Sequence, residues 1–221
     1  MAKPVTVKFY FDIVSPFSYF AFERLCRYEK AWNMSIELYP VHLGTVLKSS
    51  GNSSPFKSDA KIKYTVLDIR RNIQELQVNW NLSLTKLPVS SLSDMLILGA
   101  LKTLLPSDRF KDVVAKLFAE QVANYTPPSD LFACLVPSHI SQETLEDAKA
   151  IAQTKGFVTS FDEEQRTLLN DHGAFGLPWI LLQRQGEDCY ESFWGSDRMA
   201  SMAYWLGPDY VYAGASPEIA H

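Results

Sequence analysis

The strongest constraint on the fold lies near the amino terminus. Val5, Val7, Phe9 and Phe11 alternate with Thr6, Lys8 and Tyr10, the period of a strand with two distinct faces. Asp12 ends that run, and Ser15-Pro16 has the form of a helix start, with serine at the cap and proline at the first helical position. Phe17, Phe20, Ala21, Arg24, Leu25 and Tyr28 carry the helix to about Lys30, after which Met34, Ile36 and Leu38 alternate again. Strand, helix and strand in such quick succession predict a βαβ unit, whose two strands lie parallel beside one another. A chain that opens this way is committed to an α/β architecture.

From His42 to His172 the period changes. Ile62, Val66, Ile69, Ile73 and Leu76 step by 4, 3, 4 and 3 residues, the spacing of one helix face. Further helices are expected over 92–105, 110–122, 131–136 and 143–155, and Ser160-Phe-Asp-Glu163 reads as a capping box for another reaching towards His172. Pro88, Pro106, Pro127-Pro128 and Gly156 punctuate the run. Trp179-Ile-Leu-Leu182 is uniformly apolar, as a strand buried on both faces should be. Gln185-Gly186-Glu187-Asp188 turns the chain, and Cys189 to Trp194 returns as a hairpin partner. Gly195 to Arg198 then leads into a last helix, with Met199, Met202, Ala203 and Leu206 on its buried side. This order, βαβ, helical block, ββα, is that of an α/β thioredoxin-like fold with a large all-helical insertion. The expected division is a discontinuous thioredoxin-like domain over 1–42 and 173–221, with a helical insertion domain over 43–172.

Charge and cysteine usage narrow the function. The 21 Lys and Arg against 25 Asp and Glu leave a net charge of −4 with no dense basic block, which argues against a nucleic-acid partner. No window holds the roughly 18 consecutive apolar residues that a membrane span needs. Cys26, Cys134 and Cys189 lie far apart and form neither a CxxC pair nor a metal-ligand spacing, so no metal is expected. His42, His139, His172 and His221 cluster with nothing recognisable. The chain runs from Met1 almost directly into its first strand, and the expectation is an intracellular protein, with cytoplasm, mitochondrion and peroxisome not distinguished.

Four motifs together carry a resemblance. Phe11-Asp12-Ile13-Val14-Ser15-Pro16-Phe17-Ser18, Gly51-Asn52, Gly173-Ala174-Phe175-Gly176-Leu177-Pro178 and Phe193-Trp194-Gly195-Ser196-Asp197-Arg198-Met199 resemble, in order and spacing, the kappa-class glutathione transferases and the related 2-hydroxychromene-2-carboxylate isomerases. The similarity runs from about Val5 to Leu206, and it implies the DsbA-like branch of the thioredoxin fold. The Gly-Leu-Pro and Gly-Ser-Asp-Arg-Met forms resemble the transferases more than the isomerases, which tend to carry valine before the proline and asparagine where Ser196 stands.

The resemblance assigns roles, and each role has a plainer alternative. Ser15-Pro16-Phe17-Ser18 occupies the place of the Cys-x-x-Cys of thioredoxin-like oxidoreductases. Hydroxyls there cannot form a mixed disulfide. A helix N-terminus with a free hydroxyl can still favour a bound thiolate, and the resemblance makes Ser15 the catalytic residue; read alone, Ser15 is a helix cap. Leu177 and Pro178 would be the cis-proline pair whose backbone holds the cysteinyl part of glutathione, or else a simple strand start. Ser196 and Asp197 would take the γ-glutamyl carboxylate and ammonium, or else cap the last helix. Asn52 matches the family's binding asparagine. Lys61 would help hold the glycine carboxylate, with Lys57 and Lys63 close enough to replace it, and its plainer reading is a solvated helix charge. Trp80, Trp179 and Trp194 are expected in the core, some of them walling an apolar electrophile site.

The expected function is therefore a kappa-type glutathione transferase, whose glutathione thiolate is conjugated to electrophiles or reduces peroxides. Glutathione is its thiol substrate or cofactor, a small electrophilic or aromatic compound is the second substrate, and a homodimer is implied by the resemblance. Two alternatives stay open: a glutathione-dependent isomerase of the 2-hydroxychromene-2-carboxylate type, and a non-catalytic thioredoxin-fold binding module.

Overall fold

Strand β1 (Val5–Phe11) is the axis on which the rest is arranged. In the computed structural model, which describes residues 3–80, 91–124 and 131–215, it lies inside a four-stranded sheet of order β2-β1-β3-β4. It pairs in parallel with β2 (Met34–Pro40), from Val5 opposite Met34 to Phe11 opposite Pro40, across the crossover helix α1 (Pro16–Tyr28). On its other side β3 (Trp179–Arg184) runs antiparallel, Tyr10 opposite Trp179, and β4 (Glu191–Trp194) returns along β3 with Trp194 opposite Trp179. Both faces of β1 are covered. Val5, Val7, Phe9 and Phe11 enter the main core with Phe20, Phe22 and Leu25 of α1. Tyr10 enters a second apolar cluster with Val41, Val46, Leu168, Trp179 and Leu181. The uniformly apolar 179–182 run is buried throughout, as its composition predicts.

Between β2 and β3 the described residues form helices only. These are α2 (Leu43–Ser49), a 3-10 turn at Pro55–Lys57, α3 (Asp59–Leu76), α4 (Leu92–Leu104), α5 (Ser107–Asn124), a second 3-10 turn at Phe132–Leu135, α6 (Gln142–Ala152) and α7 (Lys155–His172). Helix α8 (Met199–Leu206) follows the sheet and buries Met199, Met202, Ala203 and Leu206, the side read from the sequence. Pro88, Pro127 and Pro128 lie outside the described residues.

Three local expectations are corrected. Ser160 does not begin a helix, because α7 is capped six residues earlier: the Thr154 side chain accepts the Phe157 N–H at 3.3 Å, and Gly156 sits within the first turn. Starting there lets Phe157 and Phe161 reach Gly99 of α4, where a Cβ would stand only 3.2 Å from the Phe161 ring. The 131–136 segment makes a 3-10 turn, since Pro137 follows at once and a proline blocks propagation of an α-helix through the turn before it. Trp194 is not a core residue: it is 47% exposed at the end of the edge strand β4. Among the described residues no helix is long and apolar enough to cross a membrane.

Candidate functional site

The sheet register brings the motifs to one end of the molecule. β1 and β2 both point their carboxyl ends there, and antiparallel β3 begins there, so the turns after Phe11 and Pro40 meet the segment before Trp179. The Val41 N–H donates to the Phe11 carbonyl at 2.8 Å, and the Gly195 N–H donates to the Pro178 carbonyl at 3.1 Å. Ser15, Leu177-Pro178 and Ser196-Asp197 thus flank the same edge of the sheet, where open α/β sheets commonly bind ligands.

Ser15 is the N-cap of α1, in extended backbone with φ −87° and ψ 115°, and Pro16 stands at the first helical position as the sequence predicts. Its Oγ accepts the Ser18 N–H at 3.2 Å, which leaves the hydroxyl proton with no acceptor among the described residues. The first turn of α1 carries no acidic side chain. Within the first turn, then, no side chain of α1 itself opposes an anion at the helix N-terminus. Ser18 is fully buried, and its hydroxyl has no hydrogen-bond partner among the described residues.

The Leu177–Pro178 bond is cis, as expected. Neither backbone polar group of Leu177 makes a backbone hydrogen bond among the described residues, so both can serve an extended ligand segment. Asn52 follows Gly51, whose φ of 72° is the conformation that favours glycine. The Asn52 Nδ2 donates to the Phe175 carbonyl at 2.9 Å and its Oδ1 accepts the Ser53 N–H at 2.8 Å. That pins the α2 end to the segment before Pro178. In this structure both polar ends of the Asn52 side chain are already engaged.

Ser196 and Asp197 stand ahead of α8 rather than at its cap, which is Arg198. Ser196 is buried; Asp197 is exposed and paired with the Arg198 guanidinium. Gly195, at φ 106°, lies so close to the Asp197 carboxylate that a Cβ would meet Oδ1 at 2.7 Å. Lys61 and Lys63 are exposed on α3 and Lys57 is exposed at the end of the preceding 3-10 turn, and among the described residues no hydrogen bond or ion pair ties Lys61 to the Ser15 end. The other six candidate residues lie toward that end; among the described residues Lys61 shares no hydrogen bond or ion pair with them.

Beside them lies a residue that in the sequence marks only the end of a strand. Asp12 is wholly buried, three residues before Ser15. Its Oδ1 accepts the Val14 N–H at 3.1 Å, and its Oδ2 accepts the Leu43 N–H at 2.8 Å and the Ser91 hydroxyl at 2.6 Å. Burial pushes its carboxyl up, opposed by those hydrogen bonds and by the charge of His42. Asp94, in the first turn of α4, is buried as well, and burial together with the Asp12 charge pushes it up to about 7. The only available signal was a carboxylate inside an otherwise apolar run; nothing in the sequence pointed to Ser91 or Asp94.

Phe175 and Trp194 form an exposed aromatic pair beside the cis-proline, with ring centroids 4.7 Å apart. Gly176 makes room for it, since a Cβ there would lie 2.9 Å from the Trp194 Nε1. The three cysteines are free thiols, and burial pushes the Cys26 thiol up to about 12, which keeps it protonated and unreactive. Among the described residues no three His, Cys, Asp or Glu side chains gather as a metal site.

Comparison with known proteins bears on this geometry. The family model described as a DSBA-like thioredoxin domain matches residues 6–207. Human glutathione S-transferase kappa 1 is 27% identical over 217 residues, covering 93% of this chain and 94% of the relative. The 2-hydroxychromene-2-carboxylate isomerase of Pseudomonas sp. (strain C18) is 39% identical over 69 residues, 30% of this chain and 32% of that one. A solved 2-hydroxychromene-2-carboxylate isomerase superposes with a TM-score of 0.74 at 21% identity, covering 91% of this chain and 94% of that one.

Proposed function

We propose that this chain, which belongs to the DSBA-like thioredoxin family, is a glutathione transferase that activates the glutathione thiol at Ser15. The observation that carries the reading is the Ser15 hydroxyl: it caps α1, spends an acceptor position on Ser18 and keeps its proton to donate. A thiolate sulfur placed before it receives that hydrogen bond and the positive end of the helix together. Both favour the ionised form over the thiol and so lower the thiol pKa. Leu177 pairs its backbone with the cysteinyl residue, while Ser196 and Asp197 receive the γ-glutamyl end and Asn52 lies beside the tripeptide. Lys61 reaches the glycine carboxylate only if its side chain swings in from the exposed face of α3.

The thiol proton leaves to solvent. The sulfur lone pair then forms a bond to an electrophilic carbon, and the leaving group departs with the electrons of the bond that breaks. Catalysis comes from keeping the sulfur ionised and from holding the second substrate against it. The sheet-bearing segments 1–42 and 173–221 would hold most of glutathione, and the helical segment 43–172 would add Asn52 and Lys61 to it and wall the electrophile. Full-length similarity to the kappa transferases supports this reading. The shorter match to the isomerases supports the runner-up, in which glutathione adds to the substrate and is released unchanged. Homodimerisation is carried over from the transferase resemblance and is read by sedimentation velocity.

The test is calorimetric titration of glutathione followed by turnover with an activated haloarene. Glutathione binding with stoichiometric thiol loss supports the transferase. Binding with turnover of a hydroxychromene carboxylate and no thiol loss supports the isomerase. No binding overturns both and leaves a non-catalytic thioredoxin-fold module.

A further inference from the structure

We propose that Asp12 is the positioning residue of the Ser15 site: its buried carboxylate ties the β1–α1 turn, the start of α2 and the cap of α4 to one point, and so fixes where the Ser15 hydroxyl is aimed. The proposal rests on the glutathione-activating reading above.

Three donors from three separate segments converge on this one side chain. The Val14 N–H belongs to the residue before Ser15, at 3.1 Å. The Leu43 N–H begins α2, the helix that leads to Gly51-Asn52, at 2.8 Å. The Ser91 hydroxyl caps α4, at 2.6 Å. The backbone of Asp12 adds a fourth link, its carbonyl accepting the Ser15 N–H at 3.0 Å. A carboxyl side chain supplies acceptors for all three, Oδ1 for the Val14 N–H and Oδ2 for the Leu43 N–H and the Ser91 hydroxyl.

The arrangement is costly as a purely structural device. A buried carboxyl is weak evidence of stability in itself; here it also serves as the acceptor that the Val14 and Leu43 N–H groups and the Ser91 hydroxyl would otherwise lack. Ser91 also makes no capping bond to its own helix, because its hydroxyl is turned to Asp12. One of the three segments so tied is the turn that carries Ser15.

The charges around Asp12 are consistent with the role. His42, at the cap of α2, faces it with a favourable sign. Asp94 of α4 faces it with the unfavourable one and responds by holding its proton. On its other side Asp94 borders a cavity of about 410 Å³ that Lys149 of α6 also lines. A donor aimed at a thiolate must be correct in distance and angle, and the turn has no other buried side chain fixing it to both α2 and α4 among the described residues.

The experiment measures thiolate absorbance per bound glutathione at saturating glutathione and pH 6.5, with calorimetry counting bound glutathione and circular dichroism following thermal unfolding. Asp12→Asn places an amide NH2 against at least one of the converging donors. It is expected to lower the thiolate signal per bound glutathione about tenfold, the scale of a sub-ångström misplacement. Ser91→Ala removes one of the three ties and is expected to lower it about threefold, while Ser91→Thr, which keeps the hydroxyl, restores it. Lower melting temperatures with an unchanged thiolate signal per bound glutathione would make Asp12 merely structural and overturn the proposal. If Asp12→Asn does not fold, the Ser91 pair decides by the same criterion. A wild-type protein that binds no glutathione overturns the underlying reading and this proposal with it; a wild type that binds and ionises glutathione, with variants that do so equally well, overturns this proposal alone.

Discussion

Replacing Asp94 by asparagine is expected to stabilise the protein at neutral and alkaline pH and to change little near pH 4. The wild-type carboxyl is buried in the first turn of α4, and burial first and the Asp12 charge second raise it to about 7. An unfolded aspartate titrates near about 3.9. Between these values the folded protein holds a proton that the unfolded chain has released, so stability falls as pH rises through the window. At about 1.4 kcal/mol for each pH unit, a window of about three units amounts to about 4 kcal/mol, largely developed by pH 7. Asparagine has the shape of the protonated acid and no proton to lose. The variant gives up a dipole interaction of at most about 1 kcal/mol at the start of α4, which leaves a net gain of about 3 kcal/mol above neutrality. Urea unfolding of both proteins from pH 4 to 8.5 gives the difference directly. It should be near zero at pH 4, grow with pH and level off near pH 7. A difference that stays flat with pH, or a variant less stable at pH 8, would refute the account of the Asp12–Asp94 pair.

Two further substitutions test the packing around the site. Gly176→Ala sets a methyl 2.9 Å from the Trp194 Nε1 and should cost about 1–3 kcal/mol in urea unfolding with a shifted tryptophan emission maximum; wild-type stability and emission would mean that the Phe175–Trp194 pair has slack. Ser18→Ala removes a fully buried hydroxyl that lacks a partner among the described residues, and should stabilise the free protein by about 1 kcal/mol in the same assay, whereas a loss would show that the hydroxyl has an acceptor.

What the sequence made legible was mostly local. The βαβ opening was readable because Val5 to Phe11 alternates strictly and Ser15-Pro16 has the form of a cap, and the structure pairs those strands in parallel. The start of α7 was not, because the contact of Phe157 and Phe161 with Gly99 lies in tertiary packing rather than in a capping pattern at Ser160. Trp194 misled for a similar reason: its place on an edge strand, and not its apolarity, leaves it half in solvent. The site was readable only as separated motifs. Residue spacing alone does not say that the segments bearing Ser15, Pro178 and Ser196 stand at one end of the sheet; that follows from the register of β1, β3 and β4. Asp12 looked like a strand terminator because its partners Leu43 and Ser91 lie 31 and 79 residues away.

The central claim is that the Ser15 hydroxyl ionises glutathione, and the ultraviolet difference spectrum on adding glutathione tests it most directly. The measurement is a pH titration of wild type and of Ser15→Ala, with binding followed in parallel by calorimetry. The account predicts a thiolate band in the wild type at a pH well below the ordinary thiol range, and its loss in the variant while glutathione still binds. A band of equal strength in both proteins would contradict it, because the thiolate would then be stabilised without the serine.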